Sequence, residues 1–225
     1  MCGGLATRLK KLSENTPKSM IKIKGKTFLE YQIEQLKKYD FTNIVLCVGH
    51  LSEQIEEYFG NGSNFGVDIT YSYDGEKPLG PIGSIKNAEN LLENVFFTLY
   101  GDSYVFVDYQ KLYNVFIKRK ENAMMTVFQN FDKYDKSNII VKNNYIIRYN
   151  KEKTKDMTYI DYGVSIFRKK ILDIIPENTF YSTKDLYTKL VEKNDLLAYK
   201  VDKRFYHIGN PEALEEFKKY IETKS

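Results

Sequence analysis

Apolar and polar positions along the first half of the chain predict helices and strands that follow one another in turn. Residues 28–39 carry apolar side chains at helical spacing, whereas the uninterrupted apolar run at 44–48 predicts a buried strand. Further segments of both kinds continue to residue 100. The predicted helices are 28–39, 52–59 and 85–92, and the predicted strands are 44–48, 67–73 and 95–100. This order is typical of a mostly parallel, doubly wound sheet.

The second half of the chain has a different pattern, in which short apolar segments are separated by turns. The predicted strands are 123–128, 138–141, 145–149, 160–167 and 196–201, and the predicted helices are 172–175, 184–192 and 211–221. Strands this close in sequence are expected to pair antiparallel or in a mixed sheet. No internal repeat or Gly/Ser-rich linker divides the 225 residues. We therefore predict a single domain over 1–225, an α/β protein with a doubly wound, Rossmann-like mixed sheet and an added mixed β subregion.

Composition narrows the class of protein without indicating a reaction. Hydrophobic residues make up 42% of the chain and aromatic residues 15%, which excludes a disordered protein. The net charge of +4 comes without a long basic tract, so nucleic acid is not an expected partner. No apolar run approaches the ~18 residues of a membrane span. The two cysteines, Cys2 and Cys47, are too few for a disulfide framework, and we expect a cytoplasmic protein that does not bind membranes.

Short glycine-containing segments speak against several common enzyme classes. The spacing G-x-G-x-x-G fails at residues 3–8 and again at 60–65, which disfavours a dehydrogenase. Residues 25–27 resemble the end of a P-loop, but Met20 occupies the position of its first glycine, and 22–26 is better explained as a hairpin turn. No metalloprotease, zinc or serine-hydrolase pattern occurs in the sequence.

The opening segment carries the clearest chemical signal. Gly3 and Gly4 expose backbone N–H groups that can approach phosphates closely, and two cations, Arg8 and Lys18, follow ten residues apart. Backbone N–H groups and cations of this kind neutralise polyphosphates. The alternative is an ordinary glycine turn flanked by solvated charges, and this segment alone does not separate the two.

Together with six later blocks, the opening segment resembles the sugar-1-phosphate nucleotidylyltransferases, also called NDP-sugar pyrophosphorylases. Their opening pattern, G-G-x-G-T-R-L followed by P-K-P-[ML], is matched here except at Ala6 and Ser19. The later blocks are similar to G-K-P-x-[LI]-E, P-L-G-T-A-G, N-G-D-[ST], F-x-E-K, N-A-G-I and D-I-G-T-P-E, in that order. The resemblance covers the chain to about residue 212, and it is greatest to short heptose- and mannose-1-phosphate guanylyltransferases.

The resemblance implies a nucleotidyl transfer. A sugar 1-phosphate oxygen would attack the α-phosphorus of a nucleoside triphosphate, pyrophosphate would leave, and an NDP-sugar would form for surface polysaccharide or glycan synthesis. The implied partners are the nucleoside triphosphate, the sugar 1-phosphate and Mg²⁺, and a homodimer is a further expectation. Because two polyanions must meet, positioning and charge neutralisation should supply most of the catalysis, and no protein nucleophile is needed.

The resemblance also implies a role for each matched residue. Arg8 would hold the leaving pyrophosphate, and Lys18 would neutralise the α-phosphate and the sugar phosphate, which makes these two the expected catalytic residues. Asp102 is the expected Mg²⁺ ligand at the end of a buried strand, with His207 at the position of the family's second acidic ligand. The expected nucleotide-binding residues are Gly3, Gly4, Glu76, Gly80 and Gly83, and the expected sugar-phosphate-binding residues are Lys151, Asp161 and Gly163.

His207 is the main departure from the family pattern, because neutral imidazole binds Mg²⁺ less well than a carboxylate does. His207 is a weaker ligand, a phosphate contact, or a bystander at a site where one carboxylate suffices with water and triphosphate oxygens. We favour the last interpretation, and Asp108 or Asp161 could supply a second carboxylate. Glu76 could accept hydrogen bonds from guanine N1–H and N2–H, which slightly favours GTP.

Two other functions and one question about the start of the chain stay open. The alternatives are a cytidylyltransferase for phosphocholine or a phosphonate, and a non-catalytic relative that binds nucleotide sugars. The family places a buried strand before the glycine loop, whereas only Met1 and Cys2 precede it here. We expect the natural protein to extend several residues before Met1 as an apolar strand, and we predict no carboxy-terminal β-helix within these 225 residues.

Overall fold

A computed structural model describes residues 15–150 and 154–224 of the chain. Four expected site residues, Gly3, Gly4, Arg8 and Lys151, lie outside these ranges. In the described part the helices are α1 (Phe28–Lys37), α2 (Ser52–Phe59), α3 (Gly80–Asn87), α4 (Tyr109–Ile117), α5 (Thr183–Glu192) and α6 (Pro211–Glu222). The strands are β1 (Lys22–Ile23), β2 (Lys26–Thr27), β3 (Asn43–Val48), β4 (Asp68–Tyr73), β5 (Val95–Leu99), β6 (Ser103–Tyr104), β7 (Ala123–Gln129), β8 (Ile139–Lys142), β9 (Tyr145–Tyr149), β10 (Tyr159–Arg168), β11 (Leu196–Val201) and β12 (Tyr206–His207).

Six of these strands form one mixed sheet with the order β5-β10-β7-β11-β9-β8. β7 and β11 run parallel, and the other neighbouring pairs in that order are antiparallel. β3 and β4 form a separate parallel pair. The expected mixed α/β sheet is therefore confirmed, but the first half of the chain is less parallel than its pattern indicated. β5 pairs antiparallel with β10, a strand from the second half that alternation within the first half could not reveal.

The six-stranded sheet carries a hydrophobic core on each face. Along β7, Met125 and Val127 pack with α3 and α5 on one face, whereas Met124 packs with α4 on the other. This alternation follows from the two-residue period of a strand. Two smaller cores hold α1 and α2 against β3 and β4, and α6 against the β1–β2 hairpin. Within the ranges that the structure covers, no helix is both long enough and apolar enough to cross a bilayer.

Local sequence signals set several element boundaries. α1 begins at a capping box, in which the Thr27 hydroxyl accepts from the Glu30 backbone N–H and the Glu30 carboxylate accepts from the Thr27 N–H. α2 ends at Gly60, which has a positive φ of 52°. The segment 22–26 is a hairpin turn as expected, with Lys24 and Gly25 at φ 48° and 84°.

Three helices differ from the sequence-based prediction. The helix predicted at 172–175 is a 3₁₀ helix at Lys169–Ile174. The helix predicted at 85–92 begins earlier, at Gly80, because Pro81 suits the first turn of a helix, and a short 3₁₀ turn occupies Glu89–Leu91. α4 was not predicted at all. Its signal was present, since Asp108 caps it and its buried residues Tyr109, Leu112 and Phe116 recur at helical spacing.

Candidate active site

A cleft of about 630 Å³ lies where β3, β4 and β5 end. Ligands of open α/β sheets bind outside the carboxyl ends of the strands, so the position itself suits a binding site. Five of the expected site residues line this cleft together, although they are far apart in sequence. They are Lys18, Gly80, Asp102, Asp161 and His207.

Lys18 and Asp102 form an ion pair inside the cleft. Lys18 follows Pro17 at the start of a short 3₁₀ helix, and its Nζ donates to Asp102 Oδ2 at 3.0 Å. The two side chains keep 21% and 36% of their surface exposed. A pair this accessible contributes at most about 1 kcal/mol to folding. The pairing therefore places a cation and a carboxylate at one point of the cleft without being needed to hold the fold.

The turn that carries Asp102 is fixed from two sides. The buried side chain of Gln32 on α1 donates from Nε2 to the carbonyl oxygens of Tyr100 and Ser103, at 2.8 and 2.7 Å. On the other side, β6 pairs with β12, and the Ile208 N–H donates to the Asp102 carbonyl at 2.9 Å. This pairing is what brings the His207 segment next to Asp102.

The Nδ1 atom of His207 is not available to a ligand, because it already accepts a hydrogen bond within the protein. The Gly209 N–H donates to His207 Nδ1 at 3.1 Å, and a Cβ at position 209 would lie only 2.8 Å from the same atom. Burial lowers the pKa of His207, although nearby Asp102 and Asp135 oppose the shift. In the neutral ring the proton then lies on Nε2, because Nδ1 is the acceptor. This arrangement argues against metal binding through Nδ1.

Asp161 is a carboxyl group at the inner wall of the cleft. Asp161 pairs with Val127 on β7, and the register of this pairing shifts between Asp161 and Ser165, where Gly163 has φ 99°. Its Oδ2 accepts from the Tyr100 hydroxyl at 2.7 Å, and its Oδ1 accepts from the Gly163 N–H at 2.9 Å. Burial raises the pKa of Asp161 to about 6, against the lowering effect of these two hydrogen bonds. The carboxyl group is thus suited to accept hydrogen bonds from the hydroxyl groups of a polar ligand.

We expect Asp161→Asn to stabilise the fold at neutral pH and to have no such effect in acid. Because the folded-state pKa of about 6 exceeds the unfolded value of 3.8, ionisation costs more in the folded protein. That cost is absent below about pH 4 and complete above about pH 6. A shift of this size corresponds to ~3 kcal/mol, and contact of the carboxyl with water in the cleft reduces the expected gain to ~1.5 kcal/mol.

Urea unfolding of the wild type and of Asp161→Asn between pH 4 and pH 8 measures this difference. Asp202→Asn, which removes an exposed carboxyl group, is the control and should show no pH-dependent gain. A gain for Asp161→Asn that is equal at all pH values would contradict the assigned cause.

Comparison with known proteins shows to which family the chain belongs. Residues 1–224 match the family described as Nucleotidyl transferase. The chain belongs to the nucleotidyl transferase family. The expected enzyme class, a sugar-1-phosphate nucleotidylyltransferase, is confirmed by relatives that carry such names.

Two of these relatives match over nearly their full length. The D-glycero-alpha-D-manno-heptose 1-phosphate guanylyltransferase of Campylobacter jejuni is 30% identical over 220 residues, which cover 96% of each chain. The protein of the same name from Aneurinibacillus thermoaerophilus is 29% identical and covers 98% of each chain. Among solved structures, HddC from Yersinia pseudotuberculosis complexed with GMP-PN has a TM-score of 0.81 and 25% identity, covering 98% of this chain and 96% of its own. The fold is therefore that of nucleotidyl transferases.

Three expected site residues and one alternative do not line the nucleotidyl transferase cleft. Glu76 is exposed in the loop before α3. Gly83 packs against the 179–181 segment, where a Cβ would lie 2.7 Å from the Thr179 carbonyl oxygen. The close approach at Gly163 is to Ser103, whose Cβ would lie 3.1 Å from an added Cβ. Asp108, a suggested second carboxylate, caps α4 instead through Oδ1, which accepts from the Lys111 N–H at 2.9 Å.

Asp74 is a candidate residue that the sequence analysis missed. It follows β4 directly and lines the cleft, and its Oδ2 accepts from the Leu79 N–H at 3.2 Å. Its Oδ1 is buried without a hydrogen-bond partner among the described residues. A buried carboxylate oxygen normally has a partner, so this atom is suited to accept from a ligand. The strand-end position of Asp74 was the available signal, whereas the sequence analysis assigned the contact with guanine to Glu76, two residues later.

Proposed function

We propose that the protein joins a sugar 1-phosphate to GTP and releases pyrophosphate. A sugar phosphate oxygen forms a bond to the α-phosphorus, while the bond from that phosphorus to the pyrophosphate oxygen breaks. The relatives named as heptose 1-phosphate and mannose-1-phosphate guanylyltransferases support this choice. A role in surface polysaccharide or glycan synthesis, a cytoplasmic location and a homodimer belong to the same proposal.

The observation that carries the proposal is the meeting of Lys18 and Asp102 in the cleft. Lys18 supplies positive charge for the α-phosphate and the incoming sugar phosphate, and Asp102 is placed 3.0 Å away as an oxygen ligand for a cation. Repulsion between the two polyanions that must meet is the main barrier to this reaction. Asp161 is proposed to accept from sugar hydroxyls, while Arg8 and Lys151, outside the described residues, keep their proposed phosphate contacts.

The donor set fits Mg²⁺ only with help from the substrate. No group of three His, Cys, Asp or Glu side chains able to hold a metal occurs between residues 15 and 150 or 154 and 224. Asp102 Oδ1 has only a long contact of 3.4 Å with the Ser103 hydroxyl, so its lone pairs are accessible. Mg²⁺ commonly binds through one carboxylate together with substrate phosphates and water. We therefore assign Asp102 as the single described protein ligand, and bound Mg²⁺ would neutralise triphosphate charge there.

Asp74 supports guanine as the base. Guanine presents N1–H and N2–H donors side by side, which a carboxylate can accept together, whereas uracil and thymine present only one donor on that edge. The buried Asp74 Oδ1 lacks a partner within the described ranges and lines the same cleft as Lys18. Asp74 thus takes over the role that the sequence had suggested for Glu76.

Turnover with four nucleoside triphosphates and several sugar 1-phosphates, followed by pyrophosphate release, tests the proposed function. GTP should be preferred, and Asp74→Asn should lower kcat/KM for GTP about tenfold while changing that for UTP less than threefold, because an amide replaces one acceptor by a donor. Glu76→Gln is the matched control and should leave both values within twofold. Preference for CTP with phosphocholine would establish the cytidylyltransferase alternative, and no release with any pair would overturn the proposal.

A further inference from the structure

Arg204 lies outside the cleft and contacts two segments of the chain that form part of the cleft wall. Its guanidinium lies between two aromatic rings, 4.0 Å from the centroid of Tyr134 and 4.3 Å from that of Tyr206. It also pairs with Glu216 on α6 at 2.5 Å, and its Nε donates to the Phe205 carbonyl at 3.2 Å. A planar guanidinium can stack on both faces at once, which an ammonium group cannot do.

The two rings belong to different segments of the chain. Tyr134 lies in the loop formed by residues 130–138, and this loop contributes Asp135 and Lys136 to the cleft lining. Tyr206 lies on β12 between Phe205 and His207, which also line the cleft. Arg204 itself does not line the cleft, so it has no direct contact with a substrate there.

The 130–138 loop keeps its shape through its own hydrogen bonds. The buried Asn130 side chain donates from Nδ2 to the Asp135 carbonyl at 2.5 Å, and the Ser137 N–H donates to Asp132 Oδ1 at 2.8 Å. Backbone hydrogen bonds tie both ends of the loop to β10 and the residue before it. Internal bonds preserve the shape of a loop but do not set its angle to the sheet. The contact of Tyr134 with Arg204 supplies a restraint between the two ends.

The charges on the loop suit an anionic, polyhydroxylated ligand. No carboxylate lies within ion-pair distance of the Lys136 ammonium among the described residues, whereas Arg204 is already paired with Glu216. Asp135 lies close enough to His207 to affect its charge. The loop therefore contributes one cation and one acceptor to the cleft that also contains Asp161.

We propose that Arg204 is a positioning residue that fixes the 130–138 loop so that Asp135 and Lys136 contact the sugar 1-phosphate. The inference rests on the proposed function, because the acceptor is the ligand that the loop would hold. It predicts that loss of the stacking affects the acceptor and spares the nucleoside triphosphate.

Four variants separate stacking from charge. Arg204→Ala and Arg204→Lys both remove the double stacking, and both should raise KM for the sugar 1-phosphate about tenfold, with KM for GTP and kcat within twofold. Glu216→Gln keeps the guanidinium between the rings, and Lys203→Ala removes an exposed neighbouring charge, so each should stay within twofold of the wild type. Full rescue by Arg204→Lys, or an equal rise of both KM values, would overturn the proposal.

A fluorescence measurement tests the positioning without turnover. The chain contains no Trp, and Phe131 in the loop is 65% exposed, so Phe131→Trp introduces a single reporter. In this background, Arg204→Ala should lower the Trp anisotropy in the absence of substrate, whereas Lys203→Ala should not. Unchanged anisotropy with Arg204→Ala would overturn the positioning role. If the wild type turns over no substrate pair, the proposed function fails, yet the anisotropy still reports on Arg204.

Discussion

Replacing Lys18 by Met is expected to lower kcat/KM for nucleotidyl transfer between a hundredfold and a thousandfold. Met has a similar length but no charge, so the phosphate groups that meet in the cleft lose the cation now 3.0 Å from Asp102. Removing one preorganised group that stabilises developing charge typically costs 10²–10³ in rate, or about 2.7–4 kcal/mol. Lys18→Arg keeps the positive charge and should lower kcat/KM about tenfold. The planar guanidinium of arginine does not place its charge where the single ammonium group of lysine lies.

The Lys18→Met variant should fold normally, since the ion pair that it breaks is accessible to water at both side chains. Lys22→Met is the matched control, because Lys22 is exposed on β1 four residues later and does not line the cleft. Steady-state kinetics should show the control within twofold of the wild type. If Lys18→Met keeps more than a third of the wild-type kcat/KM, Lys18 is not the catalytic cation.

The sequence predicts those parts of the site that depend on local signals and strand ends. Lys18 and Asp102 are 84 residues apart, yet the motif resemblance assigned Lys18 to the phosphates and Asp102 to Mg²⁺, and the structure brings the two side chains to 3.0 Å. The boundaries of α2 were predicted because Ser52 and Gly60 mark them. The order of the six strands was not predictable in this way. β10 pairs with both β5 and β7, and such long-range partners leave no trace in periodicity.

The orientation of side chains in loops was the second feature that could not be predicted from the sequence. Asp74 and Glu76 carry the same charge two residues apart, and apart from the strand-end position of Asp74 nothing in the local pattern distinguishes which one faces the cleft. The difference arises in three dimensions, where Asp74 Oδ2 caps the Leu79 N–H and leaves Oδ1 buried. The contact of Arg204 with Tyr134 has the same origin, since these two residues are far apart in sequence and meet only in the folded chain.

Replacing Asp102 by Asn should lower kcat about a hundredfold and raise the Mg²⁺ concentration needed for half-maximal rate at least tenfold. An amide oxygen carries no charge and holds Mg²⁺ less well than a carboxylate, and Asp102 is the one described carboxylate assigned to the metal. Asp108→Asn is the matched control, because the same change occurs at a helix cap outside the cleft, where Asn caps as well as Asp. Mg²⁺ titration of turnover should separate the two variants.

His207→Asp applies the opposite change to the same site and completes the test of Asp102. It adds a carboxylate on β12, which pairs with the turn that carries Asp102, so Mg²⁺-dependent activity should be kept or raised. The expected gain is largest at limiting Mg²⁺, since a second oxygen ligand strengthens binding of the ion. Calorimetry of GTP binding with Mg²⁺ provides a readout independent of turnover. The assignment of Mg²⁺ to this position of the cleft would be wrong if Asp102→Asn left the Mg²⁺ dependence unchanged, or if His207→Asp caused a large loss of activity.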